Sequence, residues 1–395
     1  MSNLLFIFDR DISTVSIMRD CFTHLKHSDD IKSDFIHLLD VAPSDINSHD
    51  VIIFIRPNDI YTWKIAECAR KAGHLTVTFC DDDLLNLPKT FPTIPWRKRG
   101  LIKTIRNSNV IWSSNRYIAE KYRHLTMDNR AALSNTIVQP EELNGIDVMH
   151  ERNRIVKIVY AAASSHAALL EKYIKPIVSD LMNEFGNTIS ISFVGVHPEM
   201  GDINCEYIPG MPLMEYRKFM KESHFDIGLA PLHMNEFSKC KYFNKFIEYT
   251  TQGIVGIYSN TEPYTYVVKD GQNGFLAENT PDSWLNTLRK AITDEKLRVT
   301  CVENAIGYLK DNHSEEACMH QLKEAIPEIS GAGKRYNICQ GFGFQKALYI
   351  FFRPLDWLYL TGFYLKNRGI KYVIEKTKLH FISSKAYKRA RGSAH

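Results

Sequence analysis

The chain has 395 residues, of which 44% are hydrophobic and 24% charged, a composition that is typical of a globular protein of two domains and excludes the disordered and fibrous classes. The charge is unevenly divided: residues 331–395 hold 13 of the 49 Lys and Arg but only two of the 45 Asp and Glu, and such a basic segment usually has an anionic partner. The eight cysteines form no C-x-x-C pair, which indicates a reducing compartment and argues against a disulfide framework or a zinc site.

The first apolar run, "LLFIF", lacks the basic region and the cleavage site of a signal peptide, so we predict a β-strand there. Short apolar runs then alternate with amphipathic segments over residues 1–150. The predicted strands are LLFIF, DFIHLL, VIIFI, LTVTFC, NVIWSS and TIVQ, and the predicted helices are VSIMRDCFTHL, YTWKIAECARKAG and RYIAEKYRHL. This alternation favours a parallel, doubly wound sheet.

A polar stretch without periodicity, "PEELNGIDVMHERN", is interpreted as a linker. A second alternating block follows, and it ends with helices around residues 281–326. The sequence therefore predicts an α/β protein with two doubly wound, Rossmann-like domains, 1–150 and 151–330. Ligands of such sheets bind beyond the carboxyl ends of the strands, so residues directly after strands are the candidates for chemistry.

Three adjacent carboxylates, Asp81, Asp82 and Asp83, follow the predicted strand LTVTFC. Because like charges repel, such a group needs solvent or a function. We interpret Asp81 and Asp82 as catalytic candidates that face the cleft, and Asp83 and Arg56 as substrate contacts; the family resemblance described below implies that Asp81 and Asp82 bind an acceptor hydroxyl or orient a donor sugar and that Asp83 and Arg56 contact the acceptor. A helix N-cap and a metal site are the alternatives.

The stretch "KYFNKFIEYTTQGIVGIYSN" (241–260) is predicted to be a helix followed by a strand. A helix that starts here places Lys241 in its first turn and Lys241, Lys245 and Glu248 on one stripe. The helix dipole disfavours a cation at that end, unless an anion such as a diphosphate binds there as well. Glu248 could accept hydrogen bonds from ribose hydroxyls. The alternative is a surface ion pair between Lys245 and Glu248.

The segment "YAAASSHAALLEKY" turns from a predicted strand into a helix. Its small residues would let a diphosphate approach the backbone closely, which makes Ser164, Ser165 and His166 donor-binding candidates. A simple serine N-cap is the alternative. The turn at residues 270–274, with Gly271 and Gly274, is interpreted as structural because it needs positive φ angles.

The pattern FDIGLAPL…FNKFIEYTTQGIVGIYS…VKDGQNGFL closely resembles the donor domain of GT-B glycosyltransferases, in particular the retaining enzymes of glycosyltransferase family 4. The resemblance covers most of residues 151–326. "VTFCDDDLLNLP" is similar to a loop in a subgroup that builds bacterial surface polysaccharides. The resemblance implies a nucleotide-sugar donor, a phosphate role for Lys241 and a ribose role for Glu248. It also implies that no metal ion or other cofactor is needed.

The sequence departs from the family pattern at one position. The family often has a glutamate eight residues before the one that matches Glu248, and that position is Cys240 here. The first glutamate usually touches the transferred sugar, so the sugar contact in this chain must come from elsewhere.

The tail, residues 331–395, interleaves Trp, Tyr and Phe with Lys and Arg. Arg353, Pro354 and Asp356 interrupt its apolar run and argue against a membrane-spanning helix, as does the lack of any run of 18 apolar residues. A helix in the interface of an anionic membrane fits this composition. A packed C-terminal helix is the alternative, and nothing else in the sequence supports nucleic-acid binding.

The sequence therefore predicts a hexosyltransferase-type glycosyltransferase of surface polysaccharide or glycolipid synthesis, in the cytoplasm at the inner face of the membrane. Its acceptor would be a saccharide or a lipid-linked saccharide. Two other classes fit the same donor domain: a sugar-nucleotide epimerase of GT-B fold, and a catalytically silent homologue that acts as an assembly partner.

Overall fold

The computed structural model describes residues 2–23, 25, 30–89, 91–146, 155–162, 166–331 and 336–392. It contains two sheets of six strands each, and all strand pairs are parallel. The first sheet consists of β1 (Ser2–Phe8), β2 (Ile31–His37), β3 (Val51–Ile55), β4 (Leu75–Phe79), β5 (Val110–Ser113) and β6 (Arg130–Leu133). The second sheet consists of β7 (Val156–Ala161), β8 (Ile189–Val194), β9 (Glu206–Ile208), β10 (Ile227–Ala230), β11 (Val255–Ser259) and β12 (Phe275–Ala277).

Each sheet reverses its strand order once. The first runs β2-β1-β3-β4-β5-β6 and the second runs β12-β11-β10-β7-β8-β9. In the first sheet, β2 is added on one side of β1 and β4 on the opposite side of β3. In the second sheet, β8 is added on one side of β7 and β11 on the opposite side of β10. Crevices at such reversal points, outside the carboxyl ends of the strands, are where doubly wound sheets bind ligands.

Helices cover the two sheets. Those of the first half are α1 (Ser13–Thr23), α2 (Pro43–Asn47), α3 (Thr62–Ala72), α4 (Pro95–Arg106), α5 (Arg116–Arg123) and α6 (Pro140–Leu143). Those of the second half are α7 (Ala167–Leu169), which continues through a π-helical turn (Leu170–Ile174) into α8 (Lys175–Phe185), then α9 (Leu213–Ser223), α10 (Glu236–Lys239), α11 (Asn244–Thr250), α12 (Tyr264–Val267), α13 (Pro281–Thr293), α14 (Glu295–His313), α15 (Glu315–Ala325) and α16 (Gly343–Gly392). Short 3-10 turns lie at Gly186–Thr188 and Pro327–Ser330.

The predicted α/β class with two parallel, Rossmann-like sheets is confirmed. Strands such as Val51–Ile55 are buried along their whole length, because helices cover both faces of a parallel sheet. The predicted strand TIVQ is wrong, and the strand in this place is β6. The backbone of Thr136 and Val138 instead forms hydrogen bonds with the side chain of Tyr242 and the carbonyl of His313, so this segment connects the two halves of the molecule.

The chain returns to the first sheet near its end. Met319 and Leu322 of α15, with Ile326 and Ile329 after it, pack in the hydrophobic core of the first sheet. This differs from the predicted domain bounds, in which residues 151–330 form one unit. Apolar spacing shows that a helix has a buried face but not which sheet that face covers.

The tail packs on the first sheet as well. Cys339 forms a disulfide with Cys68 of α3. The sequence argued against a disulfide framework and did not indicate this single pair, because spacing carries no information about cysteines 271 residues apart. Helix α16 consists of two helical parts that meet at Gly369, where φ is 79°. Within the described part of the chain, no helix has the length and apolarity needed to cross a membrane.

Candidate active site

A cavity of about 900 Å³ lies where the carboxyl ends of the two sheets face each other. Thr14, Arg56, Asp81 and Asp82 line it from the first sheet. They follow β1, β3 and β4, which places them beside the reversal point between β1 and β3. The second sheet contributes residues that follow β7 and β10, beside its own reversal point. The cavity therefore combines the two crevices that the topology creates.

Arg56 neutralises the two carboxylates of the first wall. Its Nη1 lies 3.0 Å from Asp81 Oδ1, and its Nη2 lies 3.2 Å from Asp82 Oδ2. Thr14 Oγ1 donates a hydrogen bond of 2.6 Å to Asp81 Oδ2. Burial raises the pKa of Asp81 even though Arg56 opposes the shift. Arg56 was predicted to contact an acceptor; the structure shows it as the counter-ion that keeps Asp81 and Asp82 side by side at the cavity.

Asp83 does not belong to this wall, which corrects its prediction as an acceptor contact. Its side chain is only 1% exposed, and it accepts hydrogen bonds from Lys121 Nζ at 2.6 Å, from the Tyr122 hydroxyl and from the Asn86 side chain. Burial acts to raise the pKa of Asp83, but these hydrogen bonds outweigh it and lower the pKa. Asp83 therefore fixes the loop after β4 to α5. Of the three consecutive carboxylates, Asp81 and Asp82 line the cavity and Asp83 has a structural role.

Lys241 was predicted in the first turn of a helix, but it lies before that helix in the structure. α11 begins at Asn244, and Lys241 is in the loop between α10 and α11. The argument from the helix dipole therefore does not apply to Lys241. It is Lys245 that lies in the first turn, and both lysines line the cavity.

His166, Lys241 and Lys245, which we call the basic group, lie together on the second wall, and the two lysines carry its charge. Burial and the nearby charges of Lys241, His233 and Lys245 lower the pKa of His166 to about 4. Lys245 donates a hydrogen bond of 2.6 Å to Glu248 Oε1. For Lys241, no carboxylate lies within ion-pair distance among the residues that the structure describes. The group therefore holds more positive charge than its neighbours neutralise, as expected for an anion site.

Sequence reasoning missed Tyr216 of α9. Its hydroxyl donates a hydrogen bond to Glu248 and accepts one from Lys245 at 3.1 Å. Burial and the neighbouring Glu248 raise the pKa of the Tyr216 hydroxyl, so it stays a donor at neutral pH. "LMEYRKFMKES" reads as an ordinary amphipathic helix, and no local signal distinguishes this tyrosine from a surface residue.

Cys240 is buried against the first half of the molecule. It packs with Leu84, Leu85 and Tyr122, and burial raises the pKa of its thiol to about 11. A glutamate at this position would be placed in an apolar cluster. The departure from the family pattern therefore coincides with a packing contact between the two halves.

The remaining candidates are placed as follows. Ser164 and Ser165 lie outside the described residues. In the turn at 270–274, Gly271 and Gly274 have positive φ angles of 68° and 154°, in agreement with a structural role. Among the described residues, no group of three His, Cys, Asp or Glu side chains is arranged to hold a metal ion.

We expect the affinity for a nucleoside diphosphate to depend on pH through His166. The free imidazole is neutral at pH 7 because its pKa is about 4, and a bound diphosphate would raise that pKa. Binding then takes up a proton, so affinity rises as pH falls. Between pH 7 and pH 5, UDP affinity of the wild type should rise relative to that of His166→Asn in calorimetric titrations. Identical pH profiles of the two proteins would exclude this role. UDP itself also titrates in this range, but its contribution is the same for both proteins and disappears from their ratio.

Comparison with known proteins agrees with this geometry. Residues 245–308 match the family model described as glycosyl transferases group 1, and no curated protein sequence matches the chain. HepE from Anabaena, solved in complex with UDP and glucose, superposes with a TM-score of 0.56 at 11% identity over 83% of this chain and 100% of that chain.

Two further structures superpose over a similar extent. The lipopolysaccharide outer core galactosyltransferase WaaB has a TM-score of 0.53 at 11% identity, over 82% of this chain and 99% of that chain. Sucrose-phosphate synthase from Thermosynechococcus elongatus has a TM-score of 0.56 at 10% identity, over 84% and 100%. At such identities the likeness establishes the GT-B fold. The segment that matches the family model starts at Lys245 and includes Glu248, so it contains the ion pair beside the cavity, and the fold is that of the GT-B glycosyltransferases.

Proposed function

We propose that the chain transfers a sugar from a nucleoside diphosphate sugar to a saccharide or lipid-linked acceptor, with retention of configuration, in surface polysaccharide or glycolipid synthesis. The observation that carries the proposal is the composition of the cavity. It has an excess of positive charge beside Glu248 on one wall, and two carboxylates held by Arg56 on the other. A nucleoside diphosphate supplies the matching groups, a diphosphate next to a ribose.

In the proposed reaction, each of these residues has a separate role. Lys241 stabilises the diphosphate as the bond from the sugar C1 to the β-phosphate oxygen breaks. A bond from C1 to the acceptor oxygen forms, and the proton of the acceptor hydroxyl moves to the leaving diphosphate. Asp81 and Asp82 orient the acceptor hydroxyl from the opposite wall. Glu248 accepts hydrogen bonds from the ribose, and Lys245 turns from Glu248 toward the phosphates.

A thermal-shift titration with UDP, GDP, dTDP, ADP and CMP tests the donor class. A nucleotide at 100 times its dissociation constant should add roughly 2.7 kcal/mol of stability. We expect UDP to act, since HepE, of the same fold, was solved with UDP. If none of the nucleotides stabilises the folded protein, the donor-site assignment is wrong.

Product analysis separates the glycosyltransferase from the two other classes. A glycosyltransferase releases nucleoside diphosphate in proportion to the acceptor added. An epimerase converts the sugar nucleotide without any acceptor, and a silent homologue leaves it unchanged. Release that requires acceptor is therefore the result that supports the proposal.

Attachment to a membrane surface is the second part of the proposal, and α16 supports it. Polar contacts hold this helix to the body: Asp356 accepts hydrogen bonds from Trp96 Nε1 at 2.7 Å and from Arg97 Nε at 2.9 Å, and the Tyr349 hydroxyl donates one to Asp9. Many of its apolar side chains are exposed, although Tyr349 is buried and Phe352 packs against Trp96. Those that are more than a third exposed are Ile350, Phe351, Leu355, Trp357, Leu358, Tyr359, Leu365, Ile370 and Ile374.

This arrangement is the reverse of an ordinary packed helix, which buries its apolar face. Exposed basic residues follow at Lys366, Arg368 and Lys371. An outward apolar face beside basic side chains matches a bilayer interface with anionic headgroups.

Replacement of Phe351, Trp357 and Leu358 together by glutamine should reduce cosedimentation with phosphatidylglycerol-containing vesicles by at least about tenfold, because each side chain contributes apolar area to the interface. All three are exposed, so the fold should be unaffected. Met214→Gln, at an equally exposed site on α9, is the control and should bind as the wild type does. Undiminished vesicle binding of the triple variant would contradict the assignment.

A further inference from the structure

The side chain of Asn115 joins the two halves of the molecule next to Lys241. Asn115 follows β5 and is 4% exposed. Its Oδ1 accepts hydrogen bonds from the backbone N–H groups of Tyr117 at 2.9 Å and Ile118 at 3.3 Å, and so caps α5. Its Nδ2 donates to the carbonyls of Lys239 and Lys241, at 2.8 Å each.

Capping explains only half of these contacts. An N-cap needs an oxygen acceptor, and Asp or Ser provides one as well as Asn does. The two N–H donors serve another purpose, because both bond to the loop that carries Lys241. Only an amide supplies an acceptor for the helix and two donors for the loop at the same time.

Neighbouring contacts hold the second half against the same place. The Tyr117 hydroxyl donates a hydrogen bond to Glu262, and Arg116 Nη2 lies 3.2 Å from Glu262 Oε1. Cys240, between the two bonded carbonyls, is buried among residues of the first half. The backbone on both sides of Cys240 is thus held from the acceptor-side sheet.

We propose that Asn115 is a positioning residue: through its two hydrogen bonds to the loop, it holds the Lys241 ammonium group where it can contact the diphosphate in the cavity between the two sheets. This inference rests on the phosphate role of Lys241 in the proposed function. A displacement of about 1 Å is enough to break a hydrogen bond of this length. The two hydrogen bonds from Asn115 form only while the halves are in contact, so they hold the loop of Lys241 in the arrangement in which the cavity lies between both sheets. Preorganised charge of this kind is what stabilises a leaving group effectively.

Two substitutions remove the bridge and keep the cap. Asn115→Asp retains the acceptor for α5 and loses both donors. Asn115→Ser does the same without adding a charge. The control is Asn135→Asp, because Asn135 Nδ2 also donates across the two halves, to the carbonyl of Asn312 at 3.1 Å. Its Oδ1 accepts a hydrogen bond from the Tyr242 hydroxyl at 3.3 Å, and an aspartate keeps this acceptor, so only the contact with Asn312 is lost.

The readout is the ratio of the dissociation constants for UMP and UDP, measured by calorimetry. This ratio reports the β-phosphate contact and would not change if Asn115 only capped α5. Both Asn115 variants should lower it by about tenfold, which corresponds to one charge-assisted hydrogen bond, with UMP affinity near that of the wild type. Their melting temperatures should fall, because two buried carbonyls lose their donors, so the ratio is measured well below the melting temperatures. Lys241→Ala should lower it similarly, and the double variant Asn115→Ser/Lys241→Ala no further, because both changes remove one contact.

The outcomes distinguish a failure of the donor-site assignment from a failure of the positioning role of Asn115. If Lys241→Ala leaves the ratio unchanged, the phosphate role of Lys241 is wrong, and this inference falls with it. If Lys241→Ala lowers the ratio but the Asn115 variants do not, or if the two effects add, the positioning role is overturned and the donor site stands. A loss in Asn135→Asp equal to that in the Asn115 variants would also overturn it.

Discussion

Replacement of Glu248 by alanine should weaken UDP binding by roughly 10- to 100-fold, which is the effect expected from losing hydrogen bonds to a charged group. Glu248 accepts hydrogen bonds from Tyr216 and Lys245, both of which line the cavity, and in the proposed complex it accepts hydrogen bonds from the ribose. Calorimetric titration measures the change directly. The loss should be mainly in affinity for the nucleoside part, so UMP binding should fall by a similar factor.

A matched control and a modified ligand make this prediction specific. Glu222→Ala removes a carboxylate from an exposed ion pair on α9 and should leave UDP binding unchanged. A UDP analogue without the ribose hydroxyls should bind weakly to the wild type, and Glu248→Ala should no longer distinguish it from UDP. If the variant still prefers the ribose form as strongly as the wild type does, another residue holds the ribose.

The substitution Gly100→Ala should destabilise the fold by about 3 kcal/mol or more. Gly100 of α4 lies against the loop that precedes α3, and a Cβ atom there would be 1.7 Å from the carbonyl oxygen of Asp59. The carbonyl oxygen belongs to the backbone, so no side chain can rotate away from the new methyl group, and the helix itself must move. That movement would also displace Arg97, which bonds to Asp356 of α16. Urea unfolding followed by circular dichroism measures the loss.

The same substitution at Gly307 is the control. Gly307 lies inside α14, and a Cβ atom there meets nothing within 4 Å. Alanine should therefore stabilise the protein by about 0.5–1 kcal/mol, since it restricts the unfolded chain and favours the helix. Equal urea midpoints for the two variants would show that the approach of α4 to Asp59 is not as close as the structure has it.

The sequence by itself determined the α/β class and most strands, because a strand buried on both faces appears as a continuous apolar run, as in VIIFI. It also singled out Asp81 and Asp82, which follow a strand, and Lys245, which shares a helix stripe with Glu248; all three of these residues line the cavity. These signals are local, or they depend on a topology that local patterns imply. The failed strand TIVQ has the same apolar character, but its backbone bonds to the other half of the molecule.

The tertiary structure decided the features that depend on partners distant in sequence. Asp83 looks like its two neighbours, yet Lys121 and Tyr122 bury it. Tyr216 and Asn115 carry no local signal, because what matters is the carboxylate or the carbonyl that each one meets across the fold. The same holds for α16, whose composition suggested an interfacial helix: only the polar contacts of Asp356 and Tyr349 with the body show that its apolar face is turned outward.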